Sequence, residues 1–120
     1  MSELIKSQNF QQGDNIPWEY ASPGIQRQIY GYDNRVMLVK VKFEKGAVGT
    51  VHEHPHTQVS YVESGVFELT IDGEAQILKT GDGFYVPPNT LHGSVCLEAG
   101  VLIDVFSPHR EDFLPHDEKA

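Results

Sequence analysis

The residues with chemical potential in this sequence are mostly histidines, and four of the six fall in two short segments. The first is Gly46-Ala-Val-Gly-Thr-Val-His52-Glu-His54-Pro-His56-Thr-Gln58. The second is Gly81-Asp-Gly-Phe-Tyr-Val-Pro87-Pro-Asn89-Thr-Leu-His92. His52 and His54 are two residues apart, which on a strand turns both imidazoles to one face. Gln58 is placed to open the next strand, and a strand–turn–strand unit around Pro87 and Asn89 presents His92. Neutral imidazole is a common ligand for divalent transition metals, and an amide oxygen can complete the set. His52, His54, Gln58 and His92 are therefore the candidate ligands of one divalent ion. Nickel, zinc, manganese, iron and cobalt all accept imidazole, so the ion's identity stays open. Three nitrogens and one oxygen leave positions free on an octahedral metal, the mark of a catalytic or binding site. A His-x-His pair alone suits a solvated strand face equally well; the matching spacing around His92 favours the metal. His56 follows Pro55, lies off the His52/His54 parity and is read as a loop residue, with a ligand role left open. His109 and His116 are expected at the surface.

The elements that must hold these groups are strands. From Ile25 to Phe106, short apolar runs are separated by Gly, Asp, Asn and Pro. Val39, Val41 and Phe43 share one face of a strand, with Lys40 and Lys42 on the other; Phe67, Leu69 and Ile71 share a face of a second. Asp72-Gly73 is a tight hairpin signal. Pro87-Pro88 ends a strand, since proline donates nothing to a ladder. About eight or nine short strands without a convincing helix predict an all-β sandwich or barrel. Residues 1–24, broken by Pro17 and Pro23, read as an N-terminal arm with one short strand at most. The domain proper spans 25–114, with one short turn after Pro108, and 115–120 read as a flexible tail.

Composition bounds the function. A chain of 120 residues with 39% hydrophobic and 22% charged residues suits one globular domain. A formal charge of −8 argues against nucleic-acid binding, which needs a basic face. The single cysteine, Cys96, cannot form an internal disulfide and reads as a buried thiol. No stretch reaches the roughly 18 apolar residues of a membrane span, and the expected location is the cytoplasm.

The two histidine segments resemble the paired motifs of the cupin family. Gly46, His52-x-His54, Gln58 and Gly65 stand at the first motif's spacing; Gly81, Pro87-x-Asn89 and His92 stand at the second's. The family usually has Glu at Gln58, Gly at Asn89 and Asn at Cys96. Asn89 tolerates turn geometry, so Gln58 is the departure with chemical content. Four neutral ligands leave the ion its full charge, which favours an anionic oxygen. They also lack the two-histidine, one-carboxylate triad of many iron oxygenases. Within the family, His52-Glu-His54, Gln58-Val-Ser-Tyr, Val-Pro-Pro-Asn-x-x-His92-Gly and Val101-Leu-Ile-Asp104-Val-Phe106-Ser-Pro-His-Arg110 resemble the pectin-degradation cupins of the KdgF type. The resemblance implies a double-stranded β-helix, or jelly-roll, barrel. It implies metal ligation by His52, His54, Gln58 and His92, and a substrate site lined by Asp104, Phe106 and Arg110. It implies conversion of 4,5-unsaturated uronates from pectin or alginate to linear 5-keto-4-deoxyuronate.

The residues themselves fit these roles in part. Asp104 and Phe106 share a strand face with Leu102. An inward carboxylate must be paired or functional, so Asp104 is either ion-paired or a general acid–base. Arg110 offers a planar fork for a substrate carboxylate, or is a solvated arginine beyond Pro108. Phe106 is a wall for a sugar ring or simple core packing. Tyr85 and Gln26 can donate hydrogen bonds to a ligand. A metal-dependent dioxygenase acting on a small molecule and a non-catalytic sugar-binding cupin remain the alternatives. A homodimer is expected, since cupins often pair through an exposed sheet edge.

Overall fold

The computed structural model describes residues 5–115. Eight strands account for most of them: β1 (Glu19–Ser22), β2 (Ile25–Asp33), β3 (Val36–Phe43), β4 (Val48–His52), β5 (Thr57–Ile71), β6 (Glu74–Lys79), β7 (Gly83–Val86) and β8 (His92–Ser107). Two single-turn 3₁₀ segments, Gly13–Asn15 and Glu111–Phe113, are the helical content among the described residues. The second is the turn expected after Pro108. The tail expected at 115–120 lies, beyond Pro115, outside the described residues.

All pairings are antiparallel, and β5 and β8 organise them. The N-terminal half of β5 pairs with β7, its C-terminal half with β6, and its whole length with β8. The C-terminal half of β8 pairs with β3, its N-terminal end with β4. The sheet therefore folds over itself into two layers, β1-β2-β3-β8-β5-β7 and β4-β8-β5-β6, the jelly-roll plan. The fold line lies where the β5–β8 register shifts between Val62 and Phe67; bulges there let long strands turn a corner. Gly65, at φ +87°, and Gly100 meet at this corner. A Cβ on Gly65 would sit 2.6 Å from the Glu98 carbonyl oxygen and 2.7 Å from the Gly100 Cα, so only glycine allows the strands to cross this closely.

Alternation sorts the side chains as the sequence predicts. Ile25, Phe43, Val62, Phe67, Leu69, Cys96 and Leu102 form one buried cluster between the layers, and Phe43 meets Phe67 edge-on at 5.1 Å between ring centroids. Met37, Val39 and Phe106 form a second cluster. Asp72 (φ 51°) and Gly73 (φ 83°) make the hairpin turn between β5 and β6, with the two positive φ values of a primed turn. Strand β7 stops before Pro87. The N-terminal segment joins the sheet through β1 on β2, and through a bridge between Lys6 and Asp33.

Candidate metal centre

The three imidazoles of His52, His54 and His92 converge, each offering a ligating nitrogen within 4.8 Å of the others. They arrive by different routes. His52 ends β4 and faces His92, the first residue of β8, in register; their rings are 4.4 Å apart. His54 is not on a strand. β4 stops at His52 and the chain turns through Glu53–Pro55, so shared strand parity does not bring His54 to the site. A loop does: Asn89 N–H donates to the His54 carbonyl at 2.7 Å, and Asn89 adopts φ +58° to reach it. The turn around Asn89 thus fixes both His54 and the start of β8.

Each ring is held by its Nδ1. His52 Nδ1 lies 2.8 Å from the Thr50 carbonyl, His92 Nδ1 2.8 Å from the Thr90 carbonyl, and His54 Nδ1 3.2 Å from the His56 carbonyl. A carbonyl only accepts, so Nδ1 carries the proton and Nε2 presents a lone pair, the tautomer a metal needs. Burial pushes the His54 pKa down to about 4, so this ring is neutral at pH 7.

Gln58 adds a fourth lone pair. It stands on β5, and its amide NH₂ donates to Ser60 Oγ at 3.0 Å, while Ser60 Oγ donates to Asp104 Oδ1 at 2.6 Å. The amide oxygen of Gln58 is left facing His54 Nε2 at 3.0 Å. Two acceptors at this distance repel unless a cation joins them. Adjacent ligands on an octahedral ion with bonds of about 2.1 Å stand about 3 Å apart. The donor set therefore fits a divalent cation.

Asp104 is the buried end of the same chain of hydrogen bonds. Register places Ser60, Asp104 and Val39 side by side across β5, β8 and β3. Burial raises the Asp104 pKa to about 6, while the Ser60 hydroxyl, the Arg110 charge and Gln58 pull it down. Among the described residues Asp104 has a hydroxyl partner in place of the ion pair that was one of its two sequence readings.

Phe106 packs on Met37 and Val39, as its core reading predicts, and its ring stands nearly perpendicular to that of His54 at 5.7 Å between centroids. Arg110 is not a solvated arginine. Its side chain is 12% exposed, its fork is bidentate on Asp112 at 2.9 and 3.0 Å, and its guanidinium lies over Phe106 and Phe113. A cavity of about 360 Å³ joins His52, Gln58, His92, Asp104, Phe106 and Arg110, a volume suited to a small molecule.

Other expectations change. His109 was expected at the surface but is buried, because the chain after β8 turns back and its Nδ1 reaches the Asn34 carbonyl at 3.2 Å. His116 lies outside the described residues. His56 stays out of the three-histidine cluster, its Nδ1 buried without a hydrogen-bond partner. Tyr85 and Gln26 are exposed and lie outside the cavity lining; Phe84, next to Tyr85, lines it instead. Sequence reasoning missed Ser60, Phe113 and Arg27, all at the site. Ser60 shares the parity of Gln58, and Arg27 stands between Ile25 and Ile29 on an inward face, so alternation alone carried both signals.

Known proteins of similar sequence and structure share this fold. The Cupin domain family matches residues 39–106. The chain is 52% identical to the pectin degradation protein KdgF of Dickeya dadantii over 103 residues, 84% of this chain and 94% of that one. An RmlC-like cupin from Shewanella frigidimarina superposes with a TM-score of 0.89 at 47% identity, covering 91% of this chain and 98% of that one. KdgF from a Halomonas species superposes with a TM-score of 0.86 at 44% identity, covering 90% and 100%.

Proposed function

The chain belongs to the cupin family, and we propose that it converts 4,5-unsaturated uronates from pectin or alginate to the linear 5-keto-4-deoxyuronate with one divalent transition metal. The 52% identity to a pectin degradation protein supports the substrate class. The observation that carries the chemistry is the hydrogen-bonded run from Gln58 through Ser60 to a buried Asp104 with a pKa of about 6. A carboxyl group tuned near neutrality can both take and give a proton.

His52, His54, His92 and Gln58 would hold the ion, with no carboxylate among them. A bound divalent ion supplies Lewis acidity toward a substrate oxygen. Asp104 accepts the proton of the anomeric hydroxyl as the ring C–O bond breaks, which leaves an enolate. Asp104 then returns that proton to the former alkene carbon, giving the ketone, so the step is an isomerisation with no net loss of atoms. Ser60 holds Asp104 in place while it exchanges the proton. Phe106 forms an apolar wall against the sugar ring, and Arg110 contributes positive charge for the substrate carboxylate. Location in the cytoplasm and assembly as a homodimer belong to the same proposal. No helix among the described residues is long and apolar enough to cross a membrane. The exposed side chains Val59, Tyr61 and Tyr85 on the outer face of β5 and β7 offer a surface for a second copy.

The test is the ultraviolet absorbance of the conjugated double bond. Metal-loaded protein should abolish it on unsaturated galacturonate or its alginate counterpart, and Asp104→Ala with metal retained should not. Wild-type rates in Asp104→Ala would remove Asp104 from the mechanism. Oxygen uptake coupled to turnover would replace the isomerase with a dioxygenase.

A further inference from the structure

We propose that Arg27 is the principal contact for the substrate's carboxylate and sets the preference for an acid over a neutral sugar. This rests on the uronate proposal above and refines it. Arg27 lies on β2 in register with Val41 of β3, so its side chain shares the inward face and lines the same cavity as His52, Gln58, His92 and Asp104. Its guanidinium lies 3.9 Å from the centroid of Phe113, whose ring also carries the Arg110 guanidinium at 4.2 Å. The two arginines differ in what they have left to offer. Arg110 spends its Nε and one Nη on Asp112, and that carboxylate neutralises much of its charge.

Arg27 is pinned by an aromatic ring alone, a contact that orients the plane without occupying its donors. Among the described residues no carboxylate comes within ion-pair distance of it. A half-buried guanidinium whose donors meet no partner among the described residues, in a cavity that also holds the candidate cation site, is built for an anion that arrives. Glu19 on the neighbouring strand and Asp112 lie close enough to favour its charge, while burial and Arg110 oppose it. An incoming carboxylate relieves that opposition.

The experiment compares 4,5-unsaturated galacturonate with its methyl ester, using wild type, Arg27→Gln and Arg27→Lys as full-length, metal-loaded proteins. A lost charge-assisted bidentate contact should raise KM for the acid at least about tenfold in Arg27→Gln, with kcat changed less. KM for the ester should stay near the wild-type value. Arg27→Lys keeps the charge without the fork and should fall between; if Arg27→Gln does not fold, Arg27→Lys decides by the same acid-to-ester comparison. Acid and ester affected equally, or an unchanged KM for the acid, would overturn the assignment. Wild type inert on both substrates would refute the uronate proposal separately. Calorimetric titration with galacturonate then decides on Arg27 alone: a loss of binding in Arg27→Gln upholds it, and equal affinity or no wild-type binding overturns it.

Discussion

The buried Asp104 makes the stability of the metal-free protein depend on pH in a way its amide analogue removes. Its folded pKa of about 6 lies above the ordinary 3.8, chiefly because burial disfavours the charge. A raised pKa means that the folded state holds the proton more tightly than the unfolded chain does. The stability from this group is therefore complete below about pH 4 and is lost as pH climbs through 6. The full loss is the separation of about two pH units times about 1.4 kcal/mol, or about 3 kcal/mol. Asp104→Asn keeps an oxygen that can accept the Ser60 hydroxyl but does not titrate. Urea denaturation of chelator-treated wild type and Asp104→Asn from pH 4 to 8 isolates the effect. The neutral histidines, whose depressed pKa values cost stability on the acid side, are common to both proteins and cancel in the difference. Wild type should lose about 2.5 kcal/mol relative to the variant between the two ends, a midpoint difference on the order of 1–2.5 M urea. Parallel curves would show that Asp104 is hydrated or paired in the folded protein and would refute its role as a proton carrier.

Three further outcomes follow from the same geometry. His92→Ala should abolish the rise in Tm that nickel or zinc gives wild type, worth about 2.7 kcal/mol at a hundredfold excess over Kd; an undiminished rise would dissolve the three-imidazole site. Gly65→Ala should cost more than about 3 kcal/mol in denaturation experiments, because a methyl group there meets backbone on the facing strand and φ is positive; a stability near wild type would mean the corner can open. Phe67→Ala removes a fully buried ring from between the layers and should cost about 3–5 kcal/mol by the same measurement, whereas a loss below about 1 kcal/mol would place that ring outside the core.

The convergence of the three histidines with Gln58 beside them was legible because their positions depend on local chemistry. Spacing, the Pro87–Asn89 turn and the alternation from Gln58 onward place His52, Gln58 and His92 with no knowledge of the rest of the chain. His54 converges as predicted but by a loop held to Asn89, a contact between segments 35 residues apart in sequence, which strand parity cannot express. Asp104 and Phe106 were legible as an inward pair; that Asp104 answers to a serine was not, because Ser60 reaches it only through the β5–β8 register. Arg27 was legible in principle, since Ile25, Arg27 and Ile29 alternate on one face. It was passed over because an inward arginine has meaning only once Phe113, 86 residues later, is known to lie against it. The corner at Gly65 and Gly100 is likewise a meeting of distant segments, and turn signals in the sequence mark it only as two glycines.

The slightest strand of the barrel carries one of the three converging histidines. Among the described residues β4 pairs with β8 alone, and most of its side chains are exposed, yet His52 is its last residue. An ion held there would rivet this loose margin to both layers at once, through His92 on one and Gln58 on the other. Amide protons from Val48 to His52 should then exchange slowly with solvent when the ion is bound and quickly when it is stripped.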